Sequence, residues 1–252
     1  MVINDFITSK SISRFIVKDS IDFFIRDKDL FFVTMTEYSP EIISDVAYPK
    51  TKIETTLAAE ISKAGLSQVH IAETEKFAHA TYFFNGGKHE PHENERHILV
   101  ESRKDIPTHD LAPEMRAESI ADEALQEIEN GTDFIFINFA NADMVGHTAN
   151  APAIIQGVEE IDKQLRRVVE STIKHGGVAM ITADHGNAEL NIDPQSGEKH
   201  TAHTLNLVPF IITTDSYSIK DKIGDLSDVA PTALKILGMP IPVSMTGDAL
   251  IK

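Results

Sequence analysis

Two apolar runs, residues 133–139 and 178–183, each lead within a few positions to an Asp, a Gly and a His, and this repetition constrains the fold more than any other feature. The first run is strand-like and is followed by Asn141-Ala142-Asp143-Met144-Val145-Gly146-His147; the second is followed directly by Asp184-His185-Gly186. Gly186 lets the chain turn with no side chain in the way. A third source of imidazole, His200-Thr201-Ala202-His203, follows a polar loop. Taken singly, an Asp after a strand is commonly a turn or helix cap, and a His there is commonly a surface residue. Together, two strand ends bearing Asp and His beside Gly, plus His-x-x-His, form the inventory of a binuclear site for divalent metals.

The remaining pattern says what kind of scaffold presents these ends. Residues 29–35 and 68–72 read as compact strands, and 209–214 as a further one. Ile53, Leu57 and Ile61 recur every fourth residue ahead of Gly65, which predicts a helix and its end. Tyr82-Phe83-Phe84 is an apolar run ending in the Asn85-Gly86-Gly87 turn, and 88–96 reads as a polar surface loop in which His89, His92 and the adjacent His97 are solvated. Residues 114–129 predict a helix closed by Asn130-Gly131. The clearest helix runs over 154–173, with Ile154, Ile155, Val158, Ile161, Leu165, Val168, Val169 and Ile173 on one stripe, Pro152 in its first turn and Gly176-Gly177 at its end. Asp228 is expected to cap a last helix reaching Leu237. The first thirty residues suggest one or two weakly amphipathic helices. Strand and helix alternate without internal repeats, so the expected class is α/β, a sheet with helices on both faces and the site at strand ends.

Composition narrows the function. With 42% hydrophobic and 25% charged residues the chain is an ordinary soluble globular sequence, and it contains no apolar stretch long enough to span a bilayer and no secretory-signal pattern. A net charge of −16 argues against nucleic acid or an anionic membrane as the general partner, although bound metal ions would invert the local field for an anionic substrate. The absence of cysteine removes thiolate ligands and disulfides and is compatible with a reducing compartment without proving one; the expected location is cytoplasmic. Carboxylate and imidazole without sulfur suit Mn²⁺ or Zn²⁺, and the mixed oxygen and nitrogen set does not decide between them. Two such ions ~3.5–4 Å apart clamp the attacking and leaving oxygens of an in-line phosphoryl displacement. Spacing alone therefore reaches a two-metal phosphate or sulfate ester enzyme.

Longer motifs carry a resemblance. Asn138–Thr148 (NFANADMVGHT), Ile181–Glu189 (ITADHGNAE) and His200–Ile211 (HTAHTLNLVPFI) are similar to the metal motifs of cofactor-independent, that is 2,3-bisphosphoglycerate-independent, phosphoglycerate mutases of the alkaline phosphatase superfamily. Val33–Tyr38 (VTMTEY), Glu73–Gly87 (ETEKFAHATYFFNGG) and Asp110–Met115 (DLAPEM) resemble further signatures of that family in the same order, from about residue 30 to the end. The resemblance implies an alkaline phosphatase-like sheet. It implies that Asp143, His147 and His203 hold one ion, that Asp184 and His185 hold the other, and that His203 rather than His200 is the ligand. It also implies that Lys76 contacts the phosphoryl group of phosphoglycerate, where a point cation would stabilise transferring charge.

The departures from the family are equally informative. The family's opening strand with a metal-binding Asp, its phosphoryl-carrying serine segment and its inserted transferase domain with glycerate-binding arginines have no counterpart here. Between Asn4 and Arg14 only Lys10 and Arg14 are basic, and Ser39 and Ser67 have no nucleophile motif around them. Residues 1–29 are therefore expected to be a remnant of the inserted domain or a hinge, and 30–252 the carboxyl-terminal part of the metal-binding domain, its sheet incomplete. Three readings follow: a mutase polypeptide that is truncated or is completed by a complementary amino-terminal chain, a metal-dependent phosphomonoester hydrolase, or a non-catalytic metal-binding remnant.

Overall fold

The computed structural model describes residues 33–37, 42, 44–49, 53 and 55–252. The chain divides into two units, 1–52 and 53–252. In the first, β1 (Val33–Thr34) pairs in parallel with β2 (Asp45–Val46). The helices expected before residue 30 and the boundary expected at 29/30 lie outside the described residues, as does most of the strand expected over 29–35. All else described here belongs to the second unit.

α1 (Leu57–Lys63) begins where Thr56 accepts the Ala59 amide at 3.1 Å and ends before Gly65, whose φ of +75° suits the left-handed position after a helix. Ile53 is thus not part of this helix: the four-residue spacing begins at Leu57, because the Thr56 cap sets the start. β3 (Gln68–Glu73) follows and is buried at every position. It leads into α2 (Thr74–Ala78) and a π-helical turn (His79–Phe83). β4 (Glu95–Val100) begins inside the segment expected to be a solvated loop. After a 3₁₀ turn at His109–Leu111 come α3 (Ala117–Glu129), β5 (Phe134–Asn138), α4 (Asn141–Gly146) and α5 (Ala151–Lys174). β6 (Met180–Thr182), β7 (Phe210–Ile212) and α6 (Val229–Ile236) complete the described elements.

β3 is central, with β4 and β5 parallel on either side, and β6 pairs antiparallel with β7. Alternation along β3 assigns the two faces. Val69 and Ile71 pack with Ile120, Ala121 and Ala124 of α3 and Val168 of α5. Gln68 points the other way and donates to the Ala58 carbonyl of α1 at 2.8 Å, while His70 lies against Phe84 and Phe136. Phe134 and Met180 share a second core with Leu57, Ile61 and Leu234. Each fully buried Ile or Leu in these clusters contributes ~1.5–3 kcal/mol. The α/β class with helices on both faces is what the structure has.

Two sequence readings need correction. The stripe assigned to α5 is wider than its buried line: Ala153, Ile154, Gly157, Gln164 and Val168 are buried, whereas Ile155, Val158 and Ile173 are exposed, because α3 covers only one side of this helix. Asp228 does not cap α6 with its side chain. Asp225 makes the capping box one turn earlier, and buried Asp228 instead accepts the Asp248 amide at 2.7 Å, pinning the C-terminal segment. Among the described residues, the outer edges of β5 and β6 have no strand partner, and no helix is long and apolar enough to cross a membrane.

Candidate metal centre

Because β3 and β5 are parallel and in register, with Ala72 opposite Asn138, the segments that follow them emerge at the same edge of the sheet. β3 hands over to α2, which carries Lys76; β5 hands over to α4, which carries Asp143. Lys76 Nζ meets Asp143 Oδ2 at 2.5 Å. Four residues beyond Asp143, one helical turn, His147 presents Nε2 at 3.1 Å from Asp143 Oδ1.

β6 delivers Asp184 and His185 from the neighbouring sheet. The loop after them folds back through a bridge between Gly186 and Thr204, and this return sets the His203 ring on that of His185, with centroids 3.6 Å apart and 18° between planes. His203 Nε2 then lies 3.1 Å from Asp143 Oδ1 and 3.2 Å from His147 Nε2. Asp184 Oδ2 sits 3.4 Å from His185 Nε2 at the open side of the cluster, and Asp184 is largely exposed.

The three donor atoms of Asp143, His147 and His203 therefore form a triangle with sides of 3.1, 3.1 and 3.2 Å. A tetrahedral ion with bonds of ~2.0–2.1 Å holds its donors ~3.3 Å apart, so the triangle has the size of one face of such a site. Protonation also fits. His147 Nδ1 lies 2.7 Å from the Thr201 carbonyl, so it is Nδ1 that carries the hydrogen and donates it, and the Nε2 lone pair faces the other two donors. Burial alone would raise the Asp143 pKa, but hydrogen bonds from Lys76 and Asn187 outweigh it and hold the carboxyl below its ordinary range, ready to act as an anionic ligand.

Two residues that sequence reasoning passed over complete the cluster. Asn187 Nδ2 donates to the Asp143 carboxylate at 2.6 Å, and that approach needs Gly146, where an added Cβ would stand 2.5 Å from Asn187 Oδ1. Glu189 accepts from Thr204, from Asn206 at 2.8 Å and from the Asn187 amide at 2.7 Å, tying the two arms of the loop together. Gly186 has no room for a Cβ between Glu189 and Thr204. These hydrogen bonds, the Thr204 one foremost, bring the Glu189 pKa down to about 2. Both residues stand inside the Ile181–Glu189 motif, so adjacency was the signal available for them.

Other histidines are placed elsewhere. His200 packs its ring nitrogen against the Leu190 carbonyl at 3.2 Å and does not join the donor triangle. Ser67 is bonded to Asp133 at 2.7 Å at the start of β3, the opposite end of the sheet, and Ser39 lies outside the described residues. His97 is not solvated, because β4 turns it inward to meet buried Glu95 at 2.5 Å beside buried His70. This second His–Glu cluster is occupied by donors: Asn85 Nδ2 and the His92 amide each bond Glu95 at 2.7 Å, and His70 Nδ1 faces the Ala80 carbonyl at 2.8 Å. An ion there would have to displace N–H groups already paired with their acceptors.

The model of the metalloenzyme superfamily matches residues 37–241. The chain is 47% identical over 246 residues to 2,3-bisphosphoglycerate-independent phosphoglycerate mutase 2 of Methanosarcina barkeri, covering 96% of this chain and 47% of that protein. It is 49% identical over 230 residues to the 2,3-bisphosphoglycerate-independent phosphoglycerate mutase of Chloroflexus aggregans, covering 88% and 42%. The solved phosphoglycerate mutase of Leishmania mexicana, determined at low cobalt concentration, superposes with a TM-score of 0.78 at 27% identity over 87% of this chain and 44% of that one. The chain thus spans about half the length of the relatives it matches.

Proposed function

The chain belongs to the metalloenzyme superfamily, and from that premise we propose that it is the metal-binding half of a 2,3-bisphosphoglycerate-independent phosphoglycerate mutase, which interconverts 3- and 2-phosphoglycerate in glycolysis through a phosphoserine. The observation that carries this reading is the donor triangle of Asp143, His147 and His203 with Lys76 directly behind it. In this reading those three residues hold one divalent ion, and Asp184 and His185 hold a second. Mn²⁺ is preferred over Zn²⁺; the Leishmania mexicana mutase was solved at low cobalt concentration, and all three ions accept mixed oxygen and nitrogen donors. Bound there, the ions would supply Lewis-acid charge to phosphoryl oxygens.

The chain's own residues orient the ligands and add a cation. The Thr201 carbonyl and Asn187 orient His147 and Asp143. Lys76, half-buried on Asp143, offers a cation to a phosphoryl oxygen. The serine that carries the phosphoryl group and the arginines that grip the glycerate would come from a complementary amino-terminal half, on this polypeptide or on another. Support for that partner comes from β5, whose apolar residues Phe134-Ile135-Phe136-Ile137 are only partly covered beside an edge with no strand partner among the described residues. An apolar strand in a parallel sheet is normally covered on both sides. Leu205, Leu207 and Val243 are also exposed. A cytoplasmic location goes with this assignment.

The test is a mutase assay of the Mn²⁺-loaded chain with and without a co-expressed polypeptide corresponding to the other half of the relatives. Turnover on the order of 10 s⁻¹ is expected only for the pair. The same turnover by this chain alone would overturn the division of labour, and hydrolysis of a simple phosphomonoester without mutase activity in either sample would favour the hydrolase.

A further inference from the structure

The π-helical turn after Lys76 leaves one backbone carbonyl without its helical donor. The Phe84 amide bonds the His79 carbonyl at 3.2 Å and the Asn85 amide bonds the Thr81 carbonyl at 2.8 Å, so neither reaches Ala80. Ala80 is buried, and its carbonyl is met instead by His70 Nδ1 at 2.8 Å, from a fully buried side chain on β3. Five residues later the turn is held again: Asn85 Nδ2 donates to Glu95 at 2.7 Å, and Glu95 Oε1 lies 3.5 Å from His70 Nδ1. Thr81 Oγ1 reaches back to the Phe77 carbonyl at 2.7 Å, coupling the turn to α2. α2 has only five residues, too few to be stable as an isolated helix. Its orientation therefore depends on what grips either end.

We infer that the buried His70–Glu95–Asn85 network is a positioning device that clamps the π-helical turn and thereby holds Lys76 against Asp143. None of the three is a catalytic residue, because their bonds run to one another, to Gln68, His97 and backbone groups, and not to Lys76 or Asp143. They act through the backbone of α2. The clamp is built for this turn. Ordinary α-helical bonding would have used the Ala80 carbonyl, and π-helical bulges occur frequently at functional sites. The inference rests on the proposed function only for the use to which Lys76 is put.

Its test is the acylation rate of Lys76, read by mass spectrometry on the purified chain without metal or phosphate, with exposed Lys163 as internal control. His70→Leu fills the space but leaves the Ala80 carbonyl without a donor; His70→Asn keeps an N–H close to the position of Nδ1. The expected result is a rise of about tenfold for Lys76 in His70→Leu, with Lys163 unchanged, and a rate within about twofold of wild type in His70→Asn, the first figure corresponding to one lost hydrogen bond. Asn85→Ala, which releases the other end of the clamp, is expected to raise the rate about threefold and serves if His70→Leu does not fold. A lowered melting temperature with Lys76 acylation unchanged in the variants that fold would overturn the inference and leave the network a purely structural one. Because neither metal nor phosphate enters the measurement, a wild-type chain that bound neither would count against the proposed function and leave this comparison intact.

Discussion

The molecule contains two clusters of histidine and carboxylate built from similar residue types, and they differ in where the N–H groups point. At the C-terminal edge of the sheet, Asp143 Oδ1 and the Nε2 atoms of His147 and His203 converge, and a carbonyl behind His147 takes its ring hydrogen. Behind α2, His70, Glu95 and His97 are more deeply buried, yet their facing atoms are already engaged: Asn85 and the His92 amide donate to Glu95, His97 Nε2 meets the same carboxylate, and His70 Nδ1 faces the Ala80 carbonyl. Donor type and proximity are shared by both. What separates a candidate metal centre from a structural network is the set of partners already engaged, which decides whether lone pairs are left converging on one point.

The largest expected effect tests that distinction directly. Asp143→Ala should abolish retention of Mn²⁺ after dialysis, with metal content below about a tenth of wild type, since losing a ligand exceeds the ~10–100-fold cost of losing an orienting partner. Glu95→Gln, in the other cluster, should leave metal content unchanged. Equal losses in the two variants would erase the comparison.

A second expected effect belongs to the buried cluster. Burial, opposed by Glu95 and by the Ala80 carbonyl, lowers the His70 pKa from 6.5 to about 4. The folded state thus binds this proton less readily than the unfolded chain does. Its contribution is fully present above pH 6.5 and is lost as pH falls toward 4, by up to ~3 kcal/mol. His92 is also lowered, by burial and by Lys88, and shares the window, while Glu95, held below its usual range, acts further into acid. Urea denaturation of His70→Asn should therefore show a shallower fall in stability between pH 6.5 and 4.5 than wild type. An unchanged slope would mean that His70 is already protonated in the fold.

The smallest effect sharpens the boundary of the candidate metal centre. Asn187→Ala should weaken Mn²⁺ binding about tenfold by calorimetry, as loss of an orienting hydrogen bond does, and His200→Ala should change it less than twofold. A larger loss for His200→Ala than for Asn187→Ala would relocate the site toward Leu190.

By itself the sequence determined the strand ends and what they carry. Strand periodicity, the Gly at each turn and the Asp and His beside it are local properties, and β5, β6 and α5 lie where their patterns put them, within a few residues. Spacing left open which imidazole meets which carboxylate; the family resemblance implied a grouping, and the tertiary structure is what brings Asp143, His147 and His203 into contact. That follows from the register of β3 against β5 and from the Gly186–Thr204 return, both contacts between residues distant in the chain. The polar segment ahead of His97 gave no sign that β4 would turn Glu95 and His97 inward. The reason for their burial is a carboxylate whose partners, Asn85, His92 and His97, come from the end of a π-helical turn, a loop and a strand, an arrangement that exists only once the sheet has formed.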